Sequence, residues 1–538
     1  MILDNFFLNI LYRPATVMNG VFASWAIFAA CAFGFYMLLR YAGSSGISAG
    51  VRTLVFVAAS GLMAVYTVEL YLYLTSYAYG DHVEPGIAAI SWIFTKGRAV
   101  YPPLGSPDRY SFVYGPALFI INGYIMKALG PSILTSKLGG VMAAILAVVL
   151  SFLSFRKLSG NQAAFIAAAL IILIFMDFPV VTFWQRADPF IIFFVVLALY
   201  ASTCGSKTAA VIVTGICTGI CADLKLHSVL YFIPVAALLY VRFGLAWGIG
   251  MYGLGFIVAL APFVIFENIS LYNYAMWMRA TARHGLELTL FIKNLNFIAL
   301  KIAAAALIYL YGFKDTVKLR RYMPAIWAFL AVSLAVSVVA SKPGAGVHHL
   351  LPLIPVMIYL FLAAASTVNV DPSKKNIFIA ILISSLIVTT MPALKTPIIL
   401  YMNIKERAAA PEIFNEVEGI IAAYPSQTIE MGYAGDGTYP LTYYRPLLVF
   451  HTGIYSFDAA SLMDNVLSGI SIPEAAIRAV SECRTGIWLI PRGGQAFSMN
   501  GYDKSSGGLF TSTFQSAFTQ RYKIVSSTRH FDIWSCTP

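Results

Sequence analysis

The chain has 538 residues, 59% of them hydrophobic and 11% charged, where a soluble domain carries roughly 25% charged residues. With a mean hydropathy of +0.77, that balance excludes a soluble enzyme and implies a polytopic α-helical membrane protein. The 36 Lys and Arg against 24 Asp and Glu, a net charge of +12, sit mostly between apolar runs. There is no basic stripe interleaved with stacking aromatics and no Cys/His zinc spacing, so nucleic acid is not an expected partner.

Apolar runs of roughly 17 to 25 residues can cross a hydrocarbon core about 30 Å thick. They predict about twelve transmembrane helices, beginning near Val21, Arg52, Ile133, Asn161, Pro189, Thr208, Leu226, Gly244, Phe297, Met323, Val347 and Lys375. If the turn carrying Arg40 and Arg52 is cytoplasmic, alternation puts Arg156, Lys157, Lys207, Arg242, Lys314, Lys318, Arg320, Arg321, Lys374 and Lys375 on that side, against Asp315 and Asp371. This is the positive-inside bias. It requires Val113 to Leu129, opened by Tyr114-Gly115-Pro116, to lie along the outer membrane surface instead of crossing. Met1 to Asn19 then lies outside too, and it lacks the ordered parts of a signal peptide. A bacterial inner membrane is the expected location.

Residues 1–395 thus read as a transmembrane unit with a large first outer loop at 76–132. Beyond about Pro392 acidic, Ser, Thr and Gly residues replace the long apolar runs, so 396–538 reads as an extracytoplasmic, periplasmic α/β domain. Its expected strands are Thr428 to Met431, Leu447 to His451, Gly486 to Ile490, Tyr522 to Ser526 and Phe531 to Ser535, around a helix at Pro473 to Glu482. Cys483 and Cys536, the two cysteines of that domain, are expected to form a disulfide. Cys31, Cys204, Cys217 and Cys221 read as packing residues, and the pairs Gly215/Gly219 and Gly244/Gly248 as helix contacts.

The candidate chemistry lies at the outer ends of spans, because charges are costly at membrane depth. Asp81, His82 and Glu84 follow the second span directly. If that segment is helical, Asp81 and Glu84 share a face and suit either a general base or a pair of ligands for a divalent ion such as Mg or Mn. The plainer reading is a solvated acidic loop start. The loop continues through Tyr101, Asp108 and Arg109, an expected ion pair, to Tyr114. Other outer turns bring Arg186 and Asp188, Lys225 and His227, Arg279 and Arg283, and Lys342, His348 and His349, which could hold a lipid phosphate. Individually such cations are also interfacial anchors.

This layout resembles the GT-C superfamily of lipid-linked-sugar glycosyltransferases, the group that includes protein O-mannosyltransferases and lipid A aminoarabinose transferases. The resemblance covers most of residues 50–395. It rests on Asp81 and Glu84 after an early span, Gly97 to Tyr101, Tyr114-Gly115-Pro116, Leu129-Gly130-Pro131-Ser132 before Lys137, and Arg186-Ala187-Asp188. It implies a polyprenyl-phosphate-linked sugar donor, a glycan, lipid or protein acceptor, and transfer to an acceptor hydroxyl at the outer membrane face with inversion. A first-loop carboxylate, Asp81 or Glu84, would be the base. Lys137, Arg186, Lys225, Arg279, Arg283, Lys342 and His348 would be candidates for the donor phosphate, and His82, Tyr101, Asp108, Tyr114, Asp188, His227 and His349 for the acceptor or loop. This chain departs from the pattern in having Asp-His-Val-Glu where many members have adjacent acids, Lys137 where many have Arg, and an additional N-terminal span. A transporter or lipid flippase would also bury polar groups among spans, but would show paired broken helices in two similar halves, which the chain lacks.

Overall fold

A computed structural model describes residues 18, 20–34, 36–37, 49–112, 114–282, 285–312, 320–367, 381, 384–385, 407–501 and 507–537. The span expected from Lys375 falls largely outside the described residues.

Helices follow the apolar runs: α1 (Gly20–Gly34), α2 (Ala49–Thr75), α3 (Glu84–Thr95), α4 (Pro116–Leu129), α5 (Ile133–Phe175), a turn α6 (Pro179–Thr182), α7 (Ala187–Ser202) and α8 (Lys207–Leu224). Then come α9 (Ile233–Phe243), α10 (Leu245–Ile265), α11 (Leu271–Thr281), α12 (Leu288–Gly312), α13 (Met323–Val339) and α14 (Ile354–Thr367). Among the described residues six helices are long and apolar enough to cross a membrane, and the chain is a multi-pass membrane protein. The 43-residue α5 is broken at Gly160, whose φ of 77° is open to glycine at little cost. Beyond it the chain returns alongside itself, so that Ile172 packs with Val141 and Ala144. The two spans expected from Ile133 and Asn161 therefore meet at this glycine.

Two spans begin with a 3₁₀ segment at the cluster described below, Leu226–Phe232 ahead of α9 and Val347–Leu353 ahead of α14. Gly215 and Gly219 of α8 approach Met251 and Gly255 of α10 closely, as helix-packing glycines do. Gly244 and Gly248 meet no neighbour. The reason is local: Gly244, with φ 93°, terminates α9 instead of packing.

The loop between α2 and α5 carries two helices. α4 buries one face, including Phe119 and Met126, and exposes Tyr124 and Leu129. Its 14 residues span about 21 Å, less than a bilayer core. α3 did not stand out in the sequence. It is buried from Glu84 to Phe94, wedged between α4 and the C-terminal region.

That region holds a four-stranded sheet in the order β1-β2-β4-β3, built from β1 (Ile429–Met431), β2 (Ile487–Pro491), β3 (Tyr522–Ser527) and β4 (Phe531–Cys536). β1 and β2 are parallel, and the other neighbours are antiparallel. Helices α15 (Ala410–Ala423), α16 (Arg445–Thr452), α17 (Ala459–Leu467), α18 (Glu474–Ser481) and α19 (Ser512–Arg521) pack around it. α16 replaces the strand expected at Leu447 to His451. A short apolar run does not by itself distinguish strand from buried helix; here Pro446 sits in the first turn and Gly453, at φ 64°, caps the end. Cys483 and Cys536 are joined by a disulfide, with Cα atoms 5.9 Å apart.

The two regions interlock. The Trp92 indole of α3 donates to the Phe450 carbonyl at 3.1 Å, and Arg109 pairs through its backbone with Ser456 and Asp458. Asp108 pairs with Arg484 at 2.9 Å, not with Arg109 as expected; Arg109 makes an isolated bridge with Phe457.

Candidate active site

After α2 ends at Thr75, the chain turns through Gly80 and Asp81 into α3. Glu84, fully buried, organises that turn. One of its oxygens accepts from the Tyr73 hydroxyl and from Gln185 N at 3.2 Å. The other accepts from Gly80 N at 2.5 Å and Asp81 N at 3.3 Å. Asp81 reciprocates through Oδ1, which accepts from Val83 N at 3.0 Å and Glu84 N at 3.1 Å, satisfying donors at the start of α3 that have no partner within the helix. Gly80 is required at this bend: a Cβ would lie 2.4 Å from the Trp184 ring, which stacks on Tyr73. Asp81 therefore precedes α3 and Glu84 begins it, so the two do not share a helical face as expected.

Lys137, on the first turns of α5, is also fully buried. Its ammonium donates to the carbonyls of Tyr73, Ser76 and Ala78 at 3.0, 2.9 and 2.8 Å. A lysine has three protons to give, and all three close the end of α2. The phosphate role expected for Lys137 is thus displaced by a capping role. Burial pushes the Glu84 carboxyl above the usual range, while Lys137 and the donors from Tyr73, Gly80 and Gln185 pull it back.

The other Asp81 oxygen, Oδ2, forms an ion pair with Arg186, both side chains retaining some exposure. Two residues on, Asp188 accepts from Lys225 Nζ at 2.6 Å, and Arg186 and His348 stand within electrostatic range of the same carboxylate. Lys225 lies over the Tyr114 ring at 5.5 Å. Tyr114 is held from behind by the Tyr101 hydroxyl, which donates to its carbonyl at 2.7 Å. A ring-to-ring contact of 3.2 Å joins His227 Nε2 to His349 Nδ1, and the His348 ring is 4.5 Å from that of His349. Chain segments far apart in sequence thus bring Asp81, Arg186, Asp188, Lys225, Tyr114, His227, His348 and His349 into one cluster at the helix ends.

Other expected residues fall elsewhere. Arg279 is exposed and lies two positions from the buried Trp277, so on a different face of α11. Lys342, by contrast, is exposed in the turn before His348 but stands within electrostatic range of His227 at the edge of the cluster. Asp108 belongs to the contact with Arg484. His82 faces the C-terminal region near Tyr439, where burial lowers its pKa against the pull of Asp458. Arg283 lies outside the described residues. The sequence reading missed Tyr73, Trp184 and Gln185, which frame the carboxylates; the signal available was an aromatic at the end of α2 and a Trp-Gln pair just before Arg186.

The expected divalent ligands do not fit that role. Every oxygen of Asp81 and Glu84 is met by an N–H or O–H donor, and a cation would have to displace several of them. Among the described residues no group of three or more His, Cys, Asp or Glu is arranged to hold a metal ion.

An acidic loop and cationic turns gathered at one end of a helical membrane bundle, with an α/β region seated on the loop, define the class to which the chain's fold belongs. No protein-family profile matches the chain, and no curated protein matches it in sequence. Its fold is similar to that of ArnT from Cupriavidus metallidurans in the apo state, with a TM-score of 0.51 and 14% identity over 89% of this chain and all of that one. ArnT bound to undecaprenyl phosphate gives a TM-score of 0.49 at 14% identity, covering 89% and 98% of the two chains. An Archaeoglobus fulgidus oligosaccharyltransferase in complex with Zn and sulfate gives 0.38 at 12% identity, covering 81% and 68%. At 14% identity the ArnT likeness is one of fold.

Proposed function

We propose that the protein is a glycosyltransferase that moves a sugar from a polyprenyl-phosphate donor to an acceptor hydroxyl at the outer face of a bacterial inner membrane, with about twelve spans and a periplasmic C-terminal domain. The observation that carries this reading is the pairing of Asp81 with Arg186 beside the Asp188 and Lys225 pair, in a chain whose fold is similar to that of ArnT over 89% of its length.

Asp81 is the base. It keeps some exposure, whereas Glu84 is sealed and fully occupied. The acceptor oxygen gives its proton to the Asp81 carboxylate as it bonds to the anomeric carbon. The bond from that carbon to the lipid phosphate breaks on the opposite face, which inverts the configuration. The departing phosphate carries its negative charge toward the cations Arg186 and Lys225, fixed in place before the reaction begins, with His348 beside them as a neutral hydrogen-bonding ring. Glu84 and Lys137 hold the loop that aims Asp81, and no step is routed through a metal.

The test is transfer of radiolabelled sugar from polyprenyl phosphate donors in membranes with matched expression. Asp81→Asn is expected to lower kcat by about 10² or more with donor binding retained, the scale on which general-base catalysis acts. Transfer at the wild-type rate by Asp81→Asn overturns the assignment, and absence of transfer by the wild type from any lipid-linked donor removes the transferase reading.

A further inference from the structure

Arg109 is a buried cation that meets no counter-charge among the described residues. It is 3% exposed, and its Nε and Nη1 meet no acceptor. Its backbone is pinned on both sides, by Arg109 N to the Ser456 carbonyl at 2.6 Å and Asp458 N to the Arg109 carbonyl at 2.9 Å. Its neighbour Asp108 is committed to Arg484. The guanidinium lies 5.4 Å from the centroid of Trp277, a ring fixed by its own bond from Nε1 to the Pro102 carbonyl at 2.8 Å. Burial lowers the Arg109 pKa to about 10, and among the described residues no carboxylate offsets it. Sealing a guanidinium away from water without an anion costs several kcal/mol, and aromatic stacking returns only about 0.5 to 2 of that.

The position of this charge gives it a purpose. Trp277 and Tyr274 are three apart on α11 and share a face. Tyr274 packs on Tyr101 with centroids 5.0 Å apart, and Tyr101 holds Tyr114 beside Lys225. Asp223 stands within electrostatic range of both Tyr101 and Tyr274. One face of α11 therefore carries both the ring that packs on Tyr101, behind the transfer cluster, and the ring beside Arg109, about 5 Å apart along the helix axis.

We propose that Arg109 and Trp277 form an anion subsite that takes the phosphate or carboxylate group of an acidic acceptor, an inference that rests on the transferase reading for the identity of its ligand. The planar fork of Arg suits either oxyanion. The backbone pairing with Ser456 and Asp458 makes the C-terminal region the wall of this subsite, which links that region to acceptor choice.

The subsite is tested by binding, without any transfer step. The full chain in neutral phosphatidylcholine nanodiscs is titrated with inorganic phosphate at constant ionic strength, chloride serving as the control. The signal is the tryptophan emission lost in Trp277→Phe. A second arm replaces soluble phosphate by phosphatidic acid in the nanodisc. A saturable change with soluble phosphate marks a soluble acidic acceptor, and a change confined to phosphatidic acid marks a lipid headgroup; either supports the subsite if Arg109→Gln abolishes it. Should Arg109→Gln fail to fold, Arg109→Lys keeps the charge and loses the fork, and about a tenfold rise in half-saturating phosphate is expected. No response to either probe, or an undiminished response in the Arg109 variants, overturns the proposal. A phosphate response in a protein that transfers no sugar keeps the subsite and removes the transferase reading, whereas transfer without a response does the reverse.

Discussion

Replacing Lys137 by Met separates a structural lysine from a phosphate-binding one. In the native protein its ammonium serves three carbonyls at the end of α2. Met fills similar space but donates nothing, so three acceptors are left without their donor, at about 1 to 3 kcal/mol each. Part is returned because an ammonium no longer has to be desolvated, which leaves a net loss of about 3 to 5 kcal/mol, the usual cost of breaking a buried charged contact. There is a second consequence. Lys137 is the largest influence holding the Glu84 carboxyl down against burial, so without it Glu84 retains a proton to higher pH and its grip on Gly80 and Asp81 slackens. Thermal melting of the purified protein should therefore show Lys137→Met clearly destabilised, and kcat should fall through misplacement of Asp81 while the KM for the lipid-linked donor stays near the wild-type value. A variant with wild-type melting and a selectively raised donor KM would refute this reasoning and return Lys137 to the phosphate.

Three further outcomes are expected. A Cβ on Gly115 would meet the Asp223 carbonyl oxygen at 1.9 Å, so Gly115→Ala should push α4 from α8 at about 1 to 3 kcal/mol and carry Tyr114 away from Lys225; unchanged melting and transfer would contradict the packing. Reducing the Cys483–Cys536 bridge, which closes a separation of 53 residues, should cost the C-terminal region about 2 to 4 kcal/mol, read as earlier melting with reductant in the wild type and no added effect in Cys536→Ser. Burial, with Asp458 adding to it, pushes the Asp464 carboxyl up to about 7. The folded state then keeps a proton that the unfolded chain releases above a pKa of about 3.9, so this contribution to stability is complete at acid pH and is lost as pH rises to about 7. Melting followed across that range should flatten in Asp464→Asn relative to the wild type, and parallel curves would rule the contribution out.

The membrane class and many of the helix starts were legible from composition and run length, because an apolar stretch of span length has few alternatives to a lipid-facing helix; the helix expected from Phe297 begins at Leu288. Local signals also sufficed for the strands around Trp488 and Trp534, where turn residues and β-rich composition act within a few positions. The candidate acids and cations were visible one by one, since a charge at the end of a span is conspicuous by itself. Tertiary structure decided their roles. Lys137 and Lys225 look alike in sequence, yet one is spent on three carbonyls and the other faces Asp188. Asp81 and Glu84 differ only in how many donors surround them and how much water they keep. Arg109 loses the partner beside it because Arg484, from the C-terminal region, takes Asp108. Such assignments depend on which distant segment supplies the nearest donor, acceptor or counter-charge. That is a property of packing between residues tens to hundreds of positions apart, and no local pattern of residue types encodes it.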